Sequence, residues 1–324
     1  MKPNIVLYRK IPDDLFARLQ EQCQVTFFDG INADNRAAFI KALAEAEGVI
    51  GTGVKFTDEL MAAAPKLRAA STITVGYDDF DVAKLSERGV AVMHTPGVLT
   101  ETTADTIFTL VLCAARRITE LAEKVKNGEW QSSIGPDWYG ANVHGKTIGI
   151  LGMGRIGYAV AKRAHLGFDM NVIYYNRSAK PEAEQQLNAR RCALNDVLKE
   201  ADFVCNVLPL TPETHHIINR DALAKMKPSA FFINGGRGAS VDEAALVEAL
   251  KSGGIQGAGL DVFEKEPLSV NSELLTLPNV IALPHIGSAT HETRYDMSKL
   301  AVENLLAALN GDLSKNCVNP SVIQ

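Results

Sequence analysis

Short apolar segments recur along the chain and alternate with longer segments in which apolar residues lie three or four positions apart. The short segments predict β-strands, and the longer ones predict amphipathic helices. A first series of predicted strands is NIVLY, VTFF, GVIG, LRAASTI and VAVMH, and a second is KTIGIL, NVIYYN, FVCNVLP, AFFING, IQGAGLDV and VIALPH. Because helical segments separate the strands, the pattern predicts an α/β protein with parallel sheets.

The helical segments predict how the two series are connected. Helices are expected at Asp13–Cys23 and Asp34–Ala46, and one long helix at about Glu101–Lys126. A final helix is expected at about Thr290–Leu309. The long helix indicates that the second series is an insertion, and the final helix would then return to the first domain.

Composition and charge narrow the classes of function. The chain has 324 residues, of which 46% are hydrophobic, and a formal net charge of −5. This predicts two globular domains and, without a basic surplus, no binding to nucleic acid. The apolar stretch Ile107–Ala115 is too short to span a bilayer, and the first ten residues do not resemble a signal peptide, so we expect no membrane association.

The cysteines and histidines point to a cytoplasmic protein without a metal. Five cysteines are scattered and form no CxxC pair, as is typical of a reducing compartment. His215 and His216 are adjacent and cannot both bind one metal from a regular element, and no other cluster has the spacing of metal ligands.

A glycine-rich turn follows the first strand of the second series. In GILGMGRIG, the glycines Gly152, Gly154 and Gly157 have the GxGxxG spacing of a dinucleotide-binding turn. The first glycine permits the tight turn, the second permits close approach of a pyrophosphate, and the third permits packing of helix on strand. The motif predicts a Rossmann domain with Gly152, Gly154, Arg155 and Ile156 at the cofactor.

The next strand, NVIYY, ends without the acidic residue that binds the ribose of NAD. Asn176 lies at that position, and Arg177 and Ser178 follow it. These residues suit the 2′-phosphate of NADP, with a smaller contribution from Lys180. The sequence therefore predicts NADPH as the cofactor and NADH as a weaker alternative, unless the basic residues only form a solvated loop.

Three further strand ends carry candidate catalytic residues. The stretches NGGRGASVDEAAL, GLDVFEKEPL and PHIGSAT contain Arg237, Glu266 and His285, respectively. Ligands bind at the carboxyl ends of strands in α/β sheets. Taken singly, a histidine after a strand is usually structural, an arginine near glycines is usually a surface charge, and Glu266 could be one of several solvated acids.

Six motifs in order give the chain a resemblance to the D-isomer-specific 2-hydroxyacid dehydrogenases: TVGYDDFD, GKTIGILGMGRIG, LPLTPETHH, INGGRG, DVFEKEPL and PHIGSAT. The resemblance implies that His285 is the general acid, that Glu266 is its partner, and that Arg237 binds the substrate carboxylate and polarises the ketone. The backbone N–H groups of Val75 and Gly76 would also bind the carboxylate. Further implied contacts are Thr106, Pro209, Thr214 and Asp261 to the cofactor, and Ser288 to the substrate.

The resemblance also implies a fold, a reaction and an assembly. The expected fold is two doubly wound parallel-sheet domains, with a Rossmann cofactor domain (99–286) inserted into a flavodoxin-like substrate domain (1–98 and 287–324). The expected reaction is reduction of a small 2-oxo acid, such as glyoxylate, hydroxypyruvate or 2-ketogluconate, to the D-2-hydroxy acid. A homodimer is also expected through the long helix, which is more apolar than a helix with one solvated face requires, and the loop with Trp130, Trp138 and Tyr139, unless these residues are buried within one chain.

Other functions on the same fold stay open. A formate dehydrogenase is expected to have Gln as the histidine's partner, where this chain has Glu266. A phosphoglycerate dehydrogenase usually has an extra regulatory domain, and a dinucleotide-sensing corepressor often has a long tail; we expect neither here.

Gly235–Gly236 stand where many relatives have a larger residue, which would loosen the wall beside the nicotinamide.

Overall fold

A computed structural model describes residues 2–322 and divides the chain into two compact units. The first unit contains the residues up to Leu99 and those from Ala289 onward, and the second contains Thr100–Ser288. The sequence predicts the divisions after residues 98 and 286.

The first unit is a five-stranded parallel sheet covered by helices. Its sheet has the order β2-β1-β3-β4-β5, which is the flavodoxin-like order. In chain order its elements are β1 (Asn4–Leu7), α1 (Asp13–Gln22), β2 (Gln24–Phe27), α2 (Arg36–Leu43), β3 (Gly48–Gly51), α3 (Asp58–Ala63), β4 (Ala69–Thr72), α4 (Val82–Glu87) and β5 (Ala91–Met93). Every residue of β3, β4 and β5 is buried, as expected for parallel strands with both faces covered.

The second unit is a seven-stranded parallel sheet of the Rossmann type. Its order is β12-β11-β10-β9-β6-β7-β8, and counted from β6 this is the doubly wound order 3-2-1-4-5-6 with a seventh strand added. The predicted fold class is confirmed. The elements are α5 (Thr100–Arg116), α6 (Ile118–Lys126), β6 (Thr147–Leu151), α7 (Arg155–Phe168), β7 (Asn171–Tyr175), α8 (Pro181–Gln186), β8 (Arg190–Arg191), α9 (Leu194–Glu200), β9 (Phe203–Asn206), α10 (Arg220–Leu223), β10 (Phe231–Asn234), α11 (Glu243–Lys251), β11 (Gly257–Leu260) and β12 (Val280–Ala282).

The final helix, α12 (His291–Leu309), belongs to the first unit. It packs on β3, β4 and β5 and buries Ala301 and Leu305. The hydroxyl of Thr290 caps its first turn by accepting the N–H of Thr293 at 3.1 Å.

The prediction of a single long helix over Glu101–Lys126 is wrong. The helix ends at Arg116, and Arg117 adopts a left-handed backbone (φ 55°) before α6 begins. The Arg117 guanidinium pairs with Glu120 and donates to the carbonyl of Asp137 at 2.6 Å, and these bonds stabilise the break. No glycine or proline marks this position in the sequence, so the break depends on contacts with a later loop.

The apolar excess of α5 is explained by burial within the second unit. Ile107, Leu110 and Val111 are fully buried, and the helix packs on α7, β10 and β11. In contrast, no residue of α6 is buried.

The parallel strands of the second unit bring the predicted motifs to one edge of its sheet. The strand order reverses at β6, which pairs with β7 on one side and β9 on the other. Ligands bind at such a switch point, beyond the carboxyl ends of the strands. Gly152, Asn176, Gly235, Asp261 and the segment leading to His285 all follow strand ends at this edge.

Candidate active site

The glycines of the GILGMGRIG turn have different physical requirements. Gly152 has φ 98°, and a Cβ there would lie 2.8 Å from the carbonyl oxygen of Val207. A Cβ on Gly157 would lie 2.2 Å from the carbonyl oxygen of Gly152. A Cβ on Gly154 would meet no described atom within 4 Å, so packing within the protein does not require glycine there.

This turn fits a dinucleotide. Gly154 is the N-cap of α7, and Arg155 and Ile156 open the helix, so their N–H groups are among those without a partner inside the helix. An anion approaching over Gly154 meets those N–H groups and the positive end of the helix dipole. The open space at Gly154 is the feature that a bound pyrophosphate requires.

The turn after β7 contains the residues predicted to select the cofactor. We call Asn176, Arg177 and Ser178 the 176–178 turn. The Asn176 side chain donates to the carbonyl of Ser178 at 3.1 Å, and Arg177 and Ser178 are exposed. The guanidinium of Arg191, which the sequence analysis did not identify, donates to the carbonyls of both Asn176 and Arg177.

His285 and Glu266 form a direct pair. The Nδ1–H of His285 donates to one carboxylate oxygen of Glu266 at 2.7 Å, and the backbone N–H of Phe263 donates to the other at 3.0 Å. Both oxygens of Glu266 therefore have partners, and its orientation is fixed. With Nδ1 bound to the carboxylate, Nε2 is the ring nitrogen of His285 that can exchange a proton.

The electrostatics of the pair favour an ionised carboxylate. Burial acts to raise the pKa of Glu266, but the hydrogen bonds from His285 and Phe263 and the charge of Arg237 outweigh it, so the pKa lies below its ordinary value. A negative Glu266 stabilises a positive charge on the imidazole beside it. The arrangement suits a histidine that carries a proton.

Asp261 fixes the backbone that follows His285. Its carboxylate accepts the N–H of Ile286 at 2.7 Å and that of Gly287 at 2.8 Å. Asp261 is 3% exposed, and burial raises its pKa. His285 has φ 55°, a region that costs free energy for a residue with a side chain. The two bonds to Asp261 stabilise this conformation, while its predicted contact with the nicotinamide stays a prediction.

A buried polar network fixes the backbone of Arg237. Ser240 and Asn234 donate to the Arg237 carbonyl at 2.6 and 3.2 Å, and Asn206 donates to both of them at 2.6 and 3.0 Å. All three side chains are at most 1% exposed. No sequence motif marks these residues as anchors, although Asn206 and Asn234 end two otherwise apolar strands, FVCN and FFIN.

The loops that carry Arg237 and Glu266 touch through their backbones. A Cβ on Gly238 would lie 1.8 Å from the carbonyl of Phe263, so only glycine permits this approach.

The expectation that Gly235–Gly236 loosen a wall is wrong. A Cβ on Gly235 would lie 2.3 Å from the side chain of Ile107, and one on Gly236 would lie 2.8 Å from the Leu208 carbonyl. Both glycines permit close packing.

The other predicted residues of the second unit are placed as follows. Thr106 lies on α5, half-buried, with its hydroxyl donating to the Thr102 carbonyl at 3.2 Å. Thr214 donates to the Pro209 carbonyl at 2.6 Å and fixes the loop after β9. Ser288 is half-buried at the end of the unit.

Val75 and Gly76 lie in the first unit, in a loop fixed by side chains. His94 Nδ1 donates to the Val75 carbonyl at 2.9 Å, and the Thr74 hydroxyl donates to the Gly76 carbonyl at 2.5 Å. Within residues 2–322, the N–H groups of Val75 and Gly76 donate to no protein acceptor. Two adjacent N–H groups of a fixed loop suit a carboxylate.

The described residues contain no group of three or more His, Cys, Asp or Glu side chains arranged to bind a metal. Among the helices of the same part of the chain, none has the length and apolar character needed to cross a membrane.

The family model "D-isomer specific 2-hydroxyacid dehydrogenase, NAD binding domain" matches residues 108–287. The chain belongs to the D-isomer-specific 2-hydroxyacid dehydrogenases. This dehydrogenase is 62% identical over 324 residues to glyoxylate/hydroxypyruvate reductase B of Serratia proteamaculans (strain 568), with 100% of both chains covered. TVGYDDFDV, SSIGPDWYG and HIGSATHETRY are stretches that carry the resemblance to this reductase, and the comparison confirms it.

Two solved structures are similar to this dehydrogenase over almost their whole lengths. A glyoxylate reductase from Paecilomyes thermophila has a TM-score of 0.89 at 33% identity, with 99% of both chains covered. An NADPH-dependent glyoxylate/hydroxypyruvate reductase from Sinorhizobium meliloti, in complex with NADP and malonate, has a TM-score of 0.86 at 33% identity, covering 100% of this chain and 99% of that one.

This dehydrogenase is therefore an NAD(P)-dependent oxidoreductase that acts on a small molecule. The comparisons decide in favour of an enzyme over the corepressor that the sequence left open.

Proposed function

We propose that the chain is an NADPH-preferring reductase of glyoxylate, hydroxypyruvate and 2-ketogluconate, with glycolate as the product of the first and D-2-hydroxy acids as the products of the other two. The names of the similar reductases support the first two substrates, and 2-ketogluconate rests on the sequence motifs. The observation that carries the proposal is the His285–Glu266 pair at 2.7 Å, at the same sheet edge as the anchored Arg237.

In the proposed reaction, His285 Nε2 gives its proton to the carbonyl oxygen of the 2-oxo acid, while the carbonyl carbon receives a hydride. When bound, the reduced nicotinamide supplies that hydride. Glu266 stabilises the protonated imidazole before the transfer and keeps the ring oriented after it. The carbonyl thereby gains one hydride and one proton, and the product is the hydroxy acid.

Arg237 and the Val75–Gly76 loop are the proposed carboxylate-binding groups. The Arg237 guanidinium can bind a carboxylate through two parallel N–H bonds, and its charge also polarises the neighbouring ketone. The buried network around its carbonyl places the start of the side chain accurately. The free N–H groups of Val75 and Gly76 supply further donors.

The second unit is the proposed cofactor domain, and the first is the proposed substrate domain. The N–H groups around Gly152, Gly154, Arg155 and Ile156 bind the pyrophosphate in this proposal. The remaining proposed contacts are Thr106, Pro209, Thr214 and Asp261 to the cofactor, and Ser288 to the substrate.

NADPH preference follows from the 176–178 turn. A 2′-phosphate carries close to two negative charges near neutral pH. Asn176 does not repel it as an Asp would, and the exposed Arg177 and Ser178 can donate to it. The Sinorhizobium relative, described as NADPH-dependent and complexed with NADP, supports this preference.

Exposed apolar residues support a homodimer through α6 and the loop after it. Ile118 and Val125 of α6 are about half exposed, and Trp130 and Tyr139 are 62% and 59% exposed. Such a cluster is typical of a protein interface. Sedimentation is expected to give a species of twice the 35.0 kDa chain mass, and a 35.0 kDa species at micromolar concentration would contradict the dimer.

The purified protein tests the enzymatic proposal directly. NADPH consumption is measured with glyoxylate, hydroxypyruvate, 2-ketogluconate and pyruvate, and then with NADH in place of NADPH. We expect turnover of the first three substrates, a higher kcat/KM with NADPH, and D products by chiral chromatography of the hydroxypyruvate and 2-ketogluconate reactions. The absence of turnover with all three, or an L product, would refute the proposal.

A further inference from the structure

Two adjacent arginines form the edge strand β8 and have different environments. Side chains alternate between the faces of a strand, so Arg190 and Arg191 point to opposite sides of the sheet. Arg190 pairs with Glu200 of α9. Within residues 2–322, Arg191 pairs with no carboxylate, and its guanidinium lies against the 176–178 turn instead.

Arg191 binds two consecutive carbonyls of the turn. Its Nη2 donates to the Arg177 carbonyl at 2.7 Å and to the Asn176 carbonyl at 3.2 Å, and its Nε donates to the Asn176 carbonyl at 3.3 Å. A planar guanidinium with several donors can bridge two carbonyls in this way, whereas a lysine ammonium has no such fixed fork. Among the described residues, Nη1 donates to no protein acceptor.

The turn has few other anchors. Asn176 bonds within the turn to Ser178, and the backbone N–H of Lys180 donates to the Tyr174 hydroxyl at 2.8 Å. Without Arg191, the carbonyls of Asn176 and Arg177 would lose the hydrogen bonds that its guanidinium donates to them.

A surface pocket of about 330 Å³ adjoins the turn and is lined by Tyr175, Asn176, Arg191, Cys192 and Ala193. Carbonyl oxygens at the rim of a pocket repel an incoming phosphate, because each is the negative end of a peptide dipole. A cation bound to two of them reverses the sign of the local potential. Arg191 therefore favours an anion here in two ways, through the geometry of the turn and through its charge.

We propose that Arg191 is the positioning residue for cofactor selection: it binds the Asn176 and Arg177 carbonyls and so fixes the 176–178 turn in the conformation that presents Arg177 to a 2′-phosphate. The proposal rests on the proposed NADPH preference. It assigns the main effect to the guanidinium fork, which acts through Arg177, and a smaller effect to the charge of Arg191.

Direct binding of nucleotide fragments tests the proposal without turnover. The affinities of 2′,5′-ADP and 5′-ADP are measured by calorimetry for the wild type, Arg191→Ala and the matched control Arg190→Ala. We expect Arg191→Ala to weaken 2′,5′-ADP about tenfold, the loss that corresponds to about one charge-assisted hydrogen bond. Its affinity for 5′-ADP and the affinities of Arg190→Ala should stay within roughly twofold of wild type. Thermal melting of each variant confirms that it is folded.

Two further variants separate positioning from charge. Arg191→Lys keeps the charge but not the fork, and we expect it to recover less than half of the lost binding free energy. In an Arg177→Ala background, Arg191→Ala should cost only about twofold more, because the residue through which it acts is already gone.

Failure of this inference can be distinguished from failure of the proposed NADPH preference. If Arg177→Ala does not weaken 2′,5′-ADP, or if the wild type prefers NADH, the NADPH preference itself is wrong. If Arg177→Ala weakens 2′,5′-ADP and Arg191→Ala does not, only the role of Arg191 is wrong. Full rescue by Arg191→Lys, full additivity with Arg177→Ala, or equal loss of both nucleotides would also overturn the positioning role.

Discussion

The loops that carry Arg237, Glu266 and His285 and the 176–178 turn all follow strand ends of the same sheet, but they are fixed in different ways. The first three, the proposed catalytic loops, are anchored by buried polar side chains, Asn206, Asn234, Ser240 and Asp261, of which the most exposed is only 3% exposed. The 176–178 turn is exposed at Arg177 and Ser178 and is anchored chiefly by Arg191, which is itself exposed.

This difference indicates that folding of the core fixes the loops of Arg237, Glu266 and His285, whereas the 176–178 turn lies at the surface and is less constrained. A buried polar group without a partner costs free energy, so the network behind the catalytic loops contributes to stability as well as to geometry. An exposed turn can change its side chains at little cost in stability. We therefore expect substitutions in the catalytic loops to affect turnover strongly, and substitutions in the turn to change mainly the choice of cofactor.

The largest effect is expected at His285. His285→Ala removes the proposed proton donor and should lower kcat by about 10²–10⁴-fold, the usual range for general acid catalysis, while cofactor affinity changes little. The matched control is His144→Ala, which removes another exposed histidine paired with a carboxylate, that of Asp169. Steady-state kinetics with hydroxypyruvate and NADPH measure the effect, and a kcat within a few-fold of wild type would rule out the assignment.

A smaller but still large effect is expected at Arg237. Arg237→Lys keeps the charge and loses the planar fork, so kcat/KM should fall by roughly 10–100-fold, as for loss of one or two charge-assisted bonds. Arg220→Lys is the control, because Arg220 is an arginine on the surface that pairs with Glu248. Kinetics close to wild type in Arg237→Lys would show that the guanidinium does not bind the substrate in two bonds.

The turn should respond in cofactor choice rather than in chemistry. Arg177→Ala is expected to raise KM for NADPH by about tenfold, and less if solvent weakens the bond, with little change for NADH. Asn176→Asp places a negative charge beside the phosphate and should favour NADH outright. The ratio of kcat/KM for the two cofactors measures both variants, and an equal loss of both cofactors in Arg177→Ala would show that the turn does not recognise the phosphate.

The smallest effect is a pH dependence of stability from Glu266. Because its pKa is lowered in the folded chain, ionised Glu266 contributes stability above the ordinary value of 4.5, and that contribution is lost as the pH falls through the lowered pKa. The difference in Tm between wild type and Glu266→Gln should therefore narrow below pH 4.5. Glu123→Gln, at an exposed position of α6, is the control. A Tm difference that widens on acidification would contradict the sign.

The features that could be predicted from the sequence are those with a local cause. The periodicity of strands and helices predicts two parallel sheets. The spacing of Gly152, Gly154 and Gly157 predicts the dinucleotide turn. The long helix was predicted wrongly because its break at Arg117 depends on the carbonyl of Asp137, 20 residues away. The packing at Gly235 could not be predicted because its tight contact is with a helix far back in the sequence.

The anchoring residues could not be predicted because their partners meet only after the sheet has formed. Asn206 lies 28 residues from Asn234 and 34 from Ser240, and pairing of β9 with β10 brings them together. Arg191 lies 14 residues from Arg177, and nothing in the RR pair indicates which arginine faces the turn. An Asn at the end of an apolar strand is the one local sign of such an anchor.

Contact between Gly238 and the carbonyl of Phe263 has a consequence for how the enzyme can diverge. It joins the loop that carries the proposed carboxylate-binding arginine to the loop that carries the partner of the proton donor, so a shift in one displaces the other. Substitutions that reshape the loop of Arg237 would therefore also displace the carboxylate that orients His285, and most would be eliminated by selection. New substrate ranges should arise instead from side chains of the first unit, and new cofactor preferences from the 176–178 turn, which makes these the productive places for a directed-evolution library.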